Sequence, residues 1–345
     1  MAVSPSRRSP TRRRISRISR TSRIPRTGAV CLALASTALA AAPALASDTT
    51  SADRSGSGAT KPTVVLVHGA FADASGWNGV IERLQHHGYN VVAPANPLRS
   101  LSGDSAYIAS VLKSIEGPIV LAGHSYGGAV ITEAAAGNPN VKALVYVSAF
   151  MPDKGENLGA LSAKFTGSEL QPALRPVPYT DGTTTGSDLY IKNASFHAVF
   201  AADLAEAQTK VMAVAQRPIA AACFEQAATK AAWRDIPSWF VVAKNDKAIA
   251  PDLERFEAKR AKSRTIELNS SHVAMMSHPD KVTKVLREAA SDTKRIASKS
   301  GERSSLADTG SRGDALAGLG GLAGAALLAG AALVVNGRRR RGARD

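Results

Sequence analysis

Cysteine and aromatic residues are scarce in this sequence, and the spacings typical of metal or nucleotide sites are missing. Only two of the 345 residues are cysteines, and aromatic residues make up 5%. We expect Cys31 to be removed with the N-terminal segment, which leaves Cys223 without a partner for an intrachain disulfide. No His, Cys or acidic cluster has zinc-like spacing, and no Gly-x-Gly-x-x-Gly follows a strand pattern. We therefore predict no metal and no nucleotide cofactor.

Acidic residues are also missing from the N-terminal segment, and this uneven distribution explains the formal net charge of +15. Residues 1–46 contain nine arginines and no acidic residue, and residues 306–345 contain six arginines and three aspartates. Residues 47–290 carry 24 basic and 23 acidic side chains. This nearly neutral central part predicts no nucleic acid or other polyanionic partner.

The N-terminus has the pattern of an export signal. A basic region is followed by the apolar run 29–45 and by Ala44-Leu45-Ala46, which has the small residues of a signal-peptidase site. The run is short for a bilayer span. We predict a signal peptide over 1–46, export by the general secretory route rather than the twin-arginine route that Arg12–Arg14 would also allow, and a flexible leader over 47–61.

The C-terminus has the pattern of a second targeting signal. After a polar linker over 291–305 come Leu306-Ala307-Asp308-Thr309-Gly310, an apolar stretch at about 315–335 long enough to span a bilayer, and a cluster of four arginines. This order resembles a sortase sorting signal over 306–345, with cleavage between Thr309 and Gly310. We therefore expect a secreted protein of a Gram-positive bacterium, with sortase and peptidoglycan as partners. A plain membrane anchor is the alternative.

Residues 62–290 have the alternation of strands and helices that is typical of an α/β fold. Short apolar runs with many β-branched residues indicate strands buried on both faces of a parallel sheet, and helical patterns separate most of them. The six predicted strands are 63–67, 90–93, 118–122, 141–147, 238–243 and 265–268. One long interval, at about 152–235, has helical stretches and no convincing core strand. We predict an α/β-hydrolase fold with a mostly parallel six-stranded sheet, helices on both faces and a helical cap.

A nucleophile elbow is indicated by Gly123-His124-Ser125-Tyr126-Gly127. The pentapeptide follows the predicted strand 118–122 and precedes a helical pattern of small residues. A serine at the tip of a sharp strand-to-helix turn is the arrangement that G-x-S-x-G requires. Ser125 is therefore the candidate nucleophile.

A base and an acid follow the serine in the order expected of this fold. Asp246 follows the fifth predicted strand and His272 follows the last one, so both should lie at the edge of the sheet where Ser125 lies. His278 and Asp252 are alternatives, but each lies at a predicted helix start, where Asp252 would serve as a cap. We expect His68 and His124 to support loop backbone.

The oxyanion hole needs two backbone N–H groups. One should come from Tyr126, directly after the nucleophile, and the other from the loop after the first strand. In that loop Gly69 permits close approach of the backbone, and Ala70 can present its N–H group.

Residues 62–290 resemble the α/β-hydrolase superfamily, in particular the small-esterase branch with plant methylesterases and hydroxynitrile lyases. The matching stretches are VLVHGAFADASGW (65–77), GHSYGG (123–128), VSAFMPD (147–153) and SSHVAMMSHP (270–279). The resemblance implies Ser125 as nucleophile, His272 as base and Asp246 as orienting acid. Hydroxynitrile lyases of the branch have a lysine directly after the catalytic histidine, where this chain has Val273, and a threonine near the first oxyanion donor, where it has Gly69-Ala70. Both departures favour hydrolysis.

These patterns predict a secreted, surface-anchored serine esterase that cleaves small carboxylic esters. Phe71, Phe150 and Met151 are expected to line a pocket for a small apolar group. The alternatives are a carbon–carbon lyase that uses the same triad and a wall-displayed binding protein with an idle site. The oligomeric state is left open.

Overall fold

The computed structural model describes residues 61–293, which form a central sheet, flanking helices and a cap. The strands in that range are β1 (Thr63–Val67), β2 (Val91–Val92), β3 (Ile119–Ser125), β4 (Val141–Ala149), β5 (Leu174–Asp181), β6 (Thr184–Ile191), β7 (Ile219–Ala220), β8 (Ser238–Ala243) and β9 (Arg264–Leu268). The helices are α1 (Asn78–His86), α2 (Leu101–Lys113), α3 (Tyr126–Ala134), α4 (Leu158–Ala163), α5 (Leu170–Ala173), α6 (Asn193–Phe200), α7 (Glu206–Ala215), α8 (Ala222–Glu225), α9 (Pro251–Arg260), α10 (Ala274–Ser277) and α11 over 279–293.

The six predicted strands form one sheet, and all of its strand pairs are parallel. The order is β2-β1-β3-β4-β8-β9. Every residue of the central strands β3 and β8 is buried. Helices cover both faces of a sheet of this kind, so its inner strands have continuous apolar runs instead of an alternating pattern. This explains why the runs were recognisable in the sequence.

Helices α2 and α3 each begin at a residue fixed by local structure. Helix α2 begins at Leu101, because Ser100 caps it by accepting a hydrogen bond from the N–H of Gly103 at 3.1 Å. Asp104 lies one turn inside the helix, and its carboxylate accepts from the N–H of Arg99. Helix α3 begins at Tyr126, directly after the last residue of β3. The turn between this strand and helix is therefore as short as a nucleophile elbow requires.

The cap contains a small antiparallel sheet in addition to the predicted helices. Strands β5 and β6 form a hairpin, and β7 pairs with β6. As predicted, this part of the chain contributes no strand to the central sheet. The description of the cap as helical was incomplete, because β5 contains Pro176 and Pro178 and is half exposed. Proline is tolerated only at a sheet edge, so the segment lacks the pattern of a core strand.

No helix within residues 61–293 is both long and apolar enough to cross a membrane. The predicted signal peptide, the sorting pentapeptide with Thr309 and Gly310, and the apolar stretch at about 315–335 lie outside the described residues. These assignments stay predictions from the sequence.

Candidate active site

Ser125 lies at the tip of a strained turn between β3 and α3. Its backbone has φ 54° and ψ −125°, a conformation that a residue with a side chain rarely adopts. A Cβ at Gly123 would lie 2.5 Å from the carbonyl oxygen of Gly127, and a Cβ at Gly127 would lie 2.6 Å from that of Val67. The two glycines are therefore required by the close approach of backbone on both sides of the turn.

The loop after β1 packs directly against this turn. A Cβ at Gly69 would lie 2.6 Å from the Cβ of Ser125, so only glycine fits there. Among the described residues, the N–H of the next residue, Ala70, donates no hydrogen bond. The following N–H, of Phe71, donates to the carbonyl oxygen of Arg217 in the cap at 3.0 Å. The cap thus holds the loop in place while the N–H of Ala70 stays available.

Tyr126 supplies the second candidate oxyanion donor from the first turn of α3, where backbone N–H groups have no partner within the helix. Its side chain is buried, and its hydroxyl donates to Oδ2 of Asp104 at 2.7 Å. Burial is the main cause of a strong upward shift in the pKa of Tyr126, so the hydroxyl stays protonated and keeps donating. Asp104 therefore fixes the residue whose backbone faces the site.

Asp246 and His272 form a buried pair at the same edge of the sheet. His272 Nδ1 donates to Asp246 Oδ2 at 2.6 Å, and the two residues are 1% and 2% exposed. The other oxygen, Oδ1, accepts from the N–H groups of Ala248 at 2.7 Å and Ile249 at 2.9 Å. Three N–H donors thus hold the Asp246 carboxylate. With its proton on Nδ1, neutral His272 has Nε2 free to accept a proton from the nucleophile.

The alternatives to this pair lie elsewhere. Asp252 is exposed and pairs with Arg255 on the surface of α9. His278 is half-buried, and its Nε2 contacts the carbonyl oxygen of Asn269 at 3.2 Å.

His124 links the elbow to the loop that carries His272. Its Nε2 donates to the carbonyl oxygen of His272 at 3.0 Å, and the two ring centroids are 4.7 Å apart. Complete burial, with a smaller contribution from His272, lowers the pKa of His124 well below its usual value, so the ring is neutral. Among the described residues Ser125 Oγ has no hydrogen-bond partner. In ligand-free hydrolases the bond between nucleophile and base is often long and tightens on substrate binding.

His68 supports the oxyanion loop in the way expected of a framework residue. Its Nδ1 donates to the carbonyl oxygen of Gly69 at 2.9 Å, and its Nε2 accepts from the N–H of Asn96 at 2.9 Å. Burial is the main cause of the lowered pKa of His68.

Asp203 is a residue of interest that the sequence analysis missed. It lies between α6 and α7 in the cap, and its Oδ2 accepts from the N–H of Ser271 at 3.0 Å and from the hydroxyl of Ser270 at 3.1 Å. Its Oδ1 accepts from the hydroxyl of Ser271. Desolvation raises the pKa of Asp203, but these hydrogen bonds lower it by more. The cap is therefore tied to the two residues that precede His272.

A cavity of about 90 Å³ lies between the oxyanion loop, the cap and the His272 loop. Residues with apolar side chains dominate its lining: Phe71, Phe200, Met212, Val273, Met275 and Met276. The ring of Phe200 is centred 5.1 Å from that of His272 and 6.1 Å from that of Phe71. The cavity therefore adjoins both the candidate base and the oxyanion loop.

Of the three predicted pocket residues, only Phe71 lines this cavity. Phe150 is 2% exposed and packs edge-on against Phe224. Met151 is fully buried, and its carbonyl oxygen accepts from Arg260. Phe150 instead supports the elbow through its backbone, because its N–H donates to the carbonyl oxygen of Ser125 at 3.2 Å. The sequence placed these two residues near the site but gave no information on which way their side chains point.

Within residues 61–293, no group of three or more His, Cys, Asp or Glu side chains is placed to hold a metal ion. Cys223 is buried in α8, and burial raises the pKa of its thiol to about 12. The Cys223 thiol is therefore not a candidate nucleophile. The candidate catalytic groups of the described residues are Ser125, Asp246 and His272, at the carboxyl edge of the central sheet.

Comparison with known proteins agrees with this architecture. Solved structures with a similar fold include a polyneuridine aldehyde esterase, with a TM-score of 0.59 and 20% identity over 66% of this chain and 99% of that protein. A pyrethroid hydrolase from Sphingobium faniae has a TM-score of 0.55 and 20% identity over 67% and 98% of the two chains. A methylesterase from Arabidopsis has a TM-score of 0.56 and 18% identity over 67% and 99%.

Sequence relatives point in the same direction. The alpha/beta hydrolase nvfD of Aspergillus novofumigatus is 26% identical over 260 residues, which are 68% of this chain and 99% of the relative. A carbendazim hydrolyzing esterase from a Nocardioides species is 36% identical over 113 residues, or 29% of this chain and 47% of the relative. The model of the alpha/beta hydrolase family matches residues 64–285. The chain belongs to the alpha/beta hydrolase family.

Proposed function

We propose that this protein is a serine esterase that hydrolyses small carboxylic esters through an acyl-enzyme on Ser125. The observation that carries the proposal is the buried 2.6 Å contact between His272 and Asp246, at the sheet edge where the elbow presents Ser125. Membership of the alpha/beta hydrolase family and the esterase names of several relatives support it.

In the first half of the proposed reaction, Ser125 Oγ attacks the ester carbonyl carbon and His272 Nε2 takes the hydroxyl proton. Asp246 keeps the imidazole oriented and stabilises its positive charge. The N–H groups of Ala70 and Tyr126 donate to the oxygen that becomes negative in the tetrahedral intermediate. Collapse of this intermediate breaks the bond to the alkoxy oxygen, and His272 returns the proton to the departing alcohol.

In the second half, water replaces the alcohol. His272 removes a proton from water as it attacks the acyl carbon, and the same N–H groups stabilise the second tetrahedral intermediate. Cleavage of the bond to Ser125 Oγ, with return of the proton, releases the carboxylic acid. Each step uses groups of this chain and water alone.

The substrate proposed for this site carries a small apolar group. The adjoining cavity of about 90 Å³ is lined by phenylalanine and methionine side chains, which favour burial of a short hydrocarbon chain over a charged group. Val273 lines the same cavity and is fully buried. Hydroxynitrile lyases of the similar branch have lysine at this position. The apolar valine therefore supports hydrolysis over cyanohydrin cleavage.

The test is hydrolysis of p-nitrophenyl acetate, butyrate and octanoate by the full chain and by Ser125→Ala, combined with labelling by a serine-directed fluorophosphonate. We expect rates that fall as the acyl chain lengthens, and we expect the Ser125→Ala variant to lose both hydrolysis and labelling. Equal rates for the two proteins would remove Ser125 as the nucleophile and favour a binding role.

We also propose that the protein is exported and joined to the cell wall through Thr309. This proposal rests on the sequence patterns at the two termini. Mass spectrometry of the protein released from cell walls should find an N-terminus at Ser47 and a C-terminus at Thr309. An intact C-terminal arginine cluster in membrane fractions would instead indicate a plain membrane anchor.

A further inference from the structure

A second buried carboxyl group lies against Asp246, and the mechanism above does not use it. Glu254 is on the first turns of α9 and is fully buried. Its Oε2 accepts from the N–H of Ala243, the last residue of β8, at 3.0 Å. The N–H of Asp246 donates to the carbonyl oxygen of the same Ala243 at 3.2 Å, so the two acids are neighbours, and their carboxyl groups interact. The acid of the candidate triad therefore has a fully buried carboxyl neighbour.

Two ionised carboxylates cannot satisfy one another, because each can only accept hydrogen bonds. Three N–H donors point at Asp246, from His272, Ala248 and Ile249. Only the N–H of Ala243 points at Glu254, and among the described residues Glu254 Oε1 has no donor. The negative charge is therefore best stabilised on Asp246, and a proton on Glu254 Oε1 resolves the unpartnered oxygen.

The electrostatic surroundings act in the same direction. Burial is the main cause, and the charge of Asp246 the second, of a pKa of Glu254 well above its usual value. The groups that face Glu254 are Asp246, the N–H of Ala243 and, more weakly, Glu257. None of these is a cation that would favour ionisation.

We propose that Glu254 is a neutral carboxylic acid that donates a hydrogen bond to Asp246 and so acts as a positioning residue for the Asp246–His272 pair. This inference rests on the proposed function, because it assigns Glu254 a role through the candidate triad. The Glu254 hydroxyl restrains the Asp246 carboxylate without adding a charge. Ionised Glu254 would repel the Asp246 carboxylate from its place beside His272. It would also make protonated His272 give up its proton less readily to the departing alcohol.

The chain offers a matched control one turn further along α9. Glu257 is also fully buried, and burial raises its pKa to about 8. Its nearest cation is Arg260, whose Nη2 lies 3.6 Å from Glu257 Oε1. Within residues 61–293, Glu257 makes no contact with Asp246. Replacement of either glutamate by glutamine removes one buried acid of the same type, but only one of them lies against the triad.

The protonation state is tested by infrared difference spectroscopy on the full chain at neutral pH. We expect the carbonyl bands of two protonated carboxylic acids in the wild-type protein, because Glu257 is also protonated at neutral pH. Glu254→Gln should remove one band, and Glu257→Gln should remove only the other. A Glu254→Gln difference spectrum with only carboxylate bands would show that Glu254 is ionised, and would overturn the proposal. This measurement does not depend on catalysis.

The positioning role is tested by the pH dependence of kcat and KM for a p-nitrophenyl ester. Glu254→Gln keeps a donor toward Asp246, so we expect kcat within about threefold of the wild-type value at neutral pH. Glu254→Leu removes the donor, and kcat should fall by about tenfold to a hundredfold, the factor that corresponds to a hydrogen bond to a charged group, with little change in KM.

The alkaline part of the profile distinguishes positioning from packing. The wild-type protein and Glu257→Gln should lose kcat as Glu254 ionises at high pH, and Glu254→Gln should not. Identical alkaline profiles for all three proteins, or equal losses of kcat in the glutamine and leucine variants, would overturn the role. Failure of Ser125 to react with the fluorophosphonate would instead refute the esterase itself, whatever the infrared result.

Discussion

The central sheet and the cap obey different constraints, although residues of both approach the candidate site. Every residue of β3 is buried, whereas β5 in the cap has no buried residue. At the elbow, a Cβ on Gly123 or Gly127 would lie within 2.6 Å of backbone atoms. A Cβ on Gly159, in α4 of the cap, would have no neighbour closer than 3.4 Å. Positions around the nucleophile are therefore fixed by steric contact, whereas exposed positions of the cap, such as those of β5, are not.

The largest expected effect is a loss of stability when a glycine of the elbow is replaced by alanine. The same replacement in the cap serves as the comparison. Gly127→Ala places a Cβ 2.6 Å from the carbonyl oxygen of Val67, and backbone cannot move away as a flexible side chain would. We expect a loss of about 3 kcal/mol or more in the free energy of unfolding, or failure to fold. Urea denaturation of both variants and the wild-type protein measures the effect.

Gly159→Ala is the cap counterpart. The residue lies in α4, and its nearest neighbour, the carbonyl oxygen of Phe224, would be 3.4 Å from the new Cβ. Alanine has the higher helix propensity, so we expect stability to be unchanged or to rise by up to about 1 kcal/mol. A large loss at Gly159 would contradict the contrast between the two regions.

The second prediction concerns Glu257, the buried acid on α9 that makes no contact with the triad within the described part of the chain. The pKa of Glu257 is raised by burial from its ordinary value of 4.5 to about 8, so the folded state binds this proton more tightly than the unfolded state. The stability that it contributes is fully present below pH 4.5 and is lost as pH rises through about 8, at up to roughly 1.4 kcal/mol for each pH unit. Glu257→Gln should flatten this decline, as followed by urea denaturation at several pH values.

The control for this prediction is Glu206→Gln in the cap. Glu206 is exposed on α7, and within residues 61–293 its side chain pairs with Lys210 alone, across one helical turn. An exposed pair of this kind contributes little, so its removal should leave the pH dependence of stability unchanged. A wild-type protein whose stability did not fall between pH 5 and pH 8 would show that Glu257 is ionised when folded.

The contrast also explains what the sequence could predict. The inner strands β1, β3, β4 and β8 were identified because burial on both faces produces continuous apolar runs, and the elbow was identified because its glycines are sterically required. The hairpin of β5 and β6 was missed because Pro176 and Pro178 interrupt the strand pattern on an exposed edge. Proline cannot donate to a sheet ladder, so the two prolines hide this edge strand in the sequence.

The supporting residues of the site were missed for a different reason. Asp203 and Glu254 are ordinary acidic residues by sequence, one in a cap loop and one in a helix with charged neighbours. Their roles depend on contacts with Ser271 and Asp246, which are distant in the chain and close only after folding. Ser125, Asp246 and His272 could be singled out because chain order and strand ends place all three at one edge of the sheet.

The third prediction tests the connection between the two regions. Asp203 in the cap accepts three hydrogen bonds from Ser270 and Ser271, which directly precede His272. Asp203→Ala frees this loop, and we expect kcat for p-nitrophenyl butyrate to fall by about tenfold, as for the loss of a hydrogen bond to a charged group. The free energy of unfolding should also fall, by about 1–3 kcal/mol, because buried donors of Ser270 and Ser271 lose their acceptor.

Asp203→Asn is the informative companion. It keeps an acceptor and the size of the side chain but loses the charge, so its kcat should lie between those of the wild-type protein and Asp203→Ala. An unchanged kcat in Asp203→Ala would show that the cap does not influence the position of His272.

The smallest expected effect concerns substrate specificity, to which the cap contributes through its side of the cavity. Met212 on α7 lines the cavity of about 90 Å³ beside Phe71 and Val273. Met212→Ala enlarges the cavity without touching the sheet. Each added methylene in an apolar pocket is worth about 1–3 kcal/mol at most, so the ratio of kcat/KM for octanoate over acetate should rise by about threefold to tenfold.

Val214→Ala, two residues along the same helix and 74% exposed, should leave the ratio unchanged. If both variants behave like the wild-type protein, the cavity does not receive the acyl chain, and the alcohol side of the ester is the group to vary next.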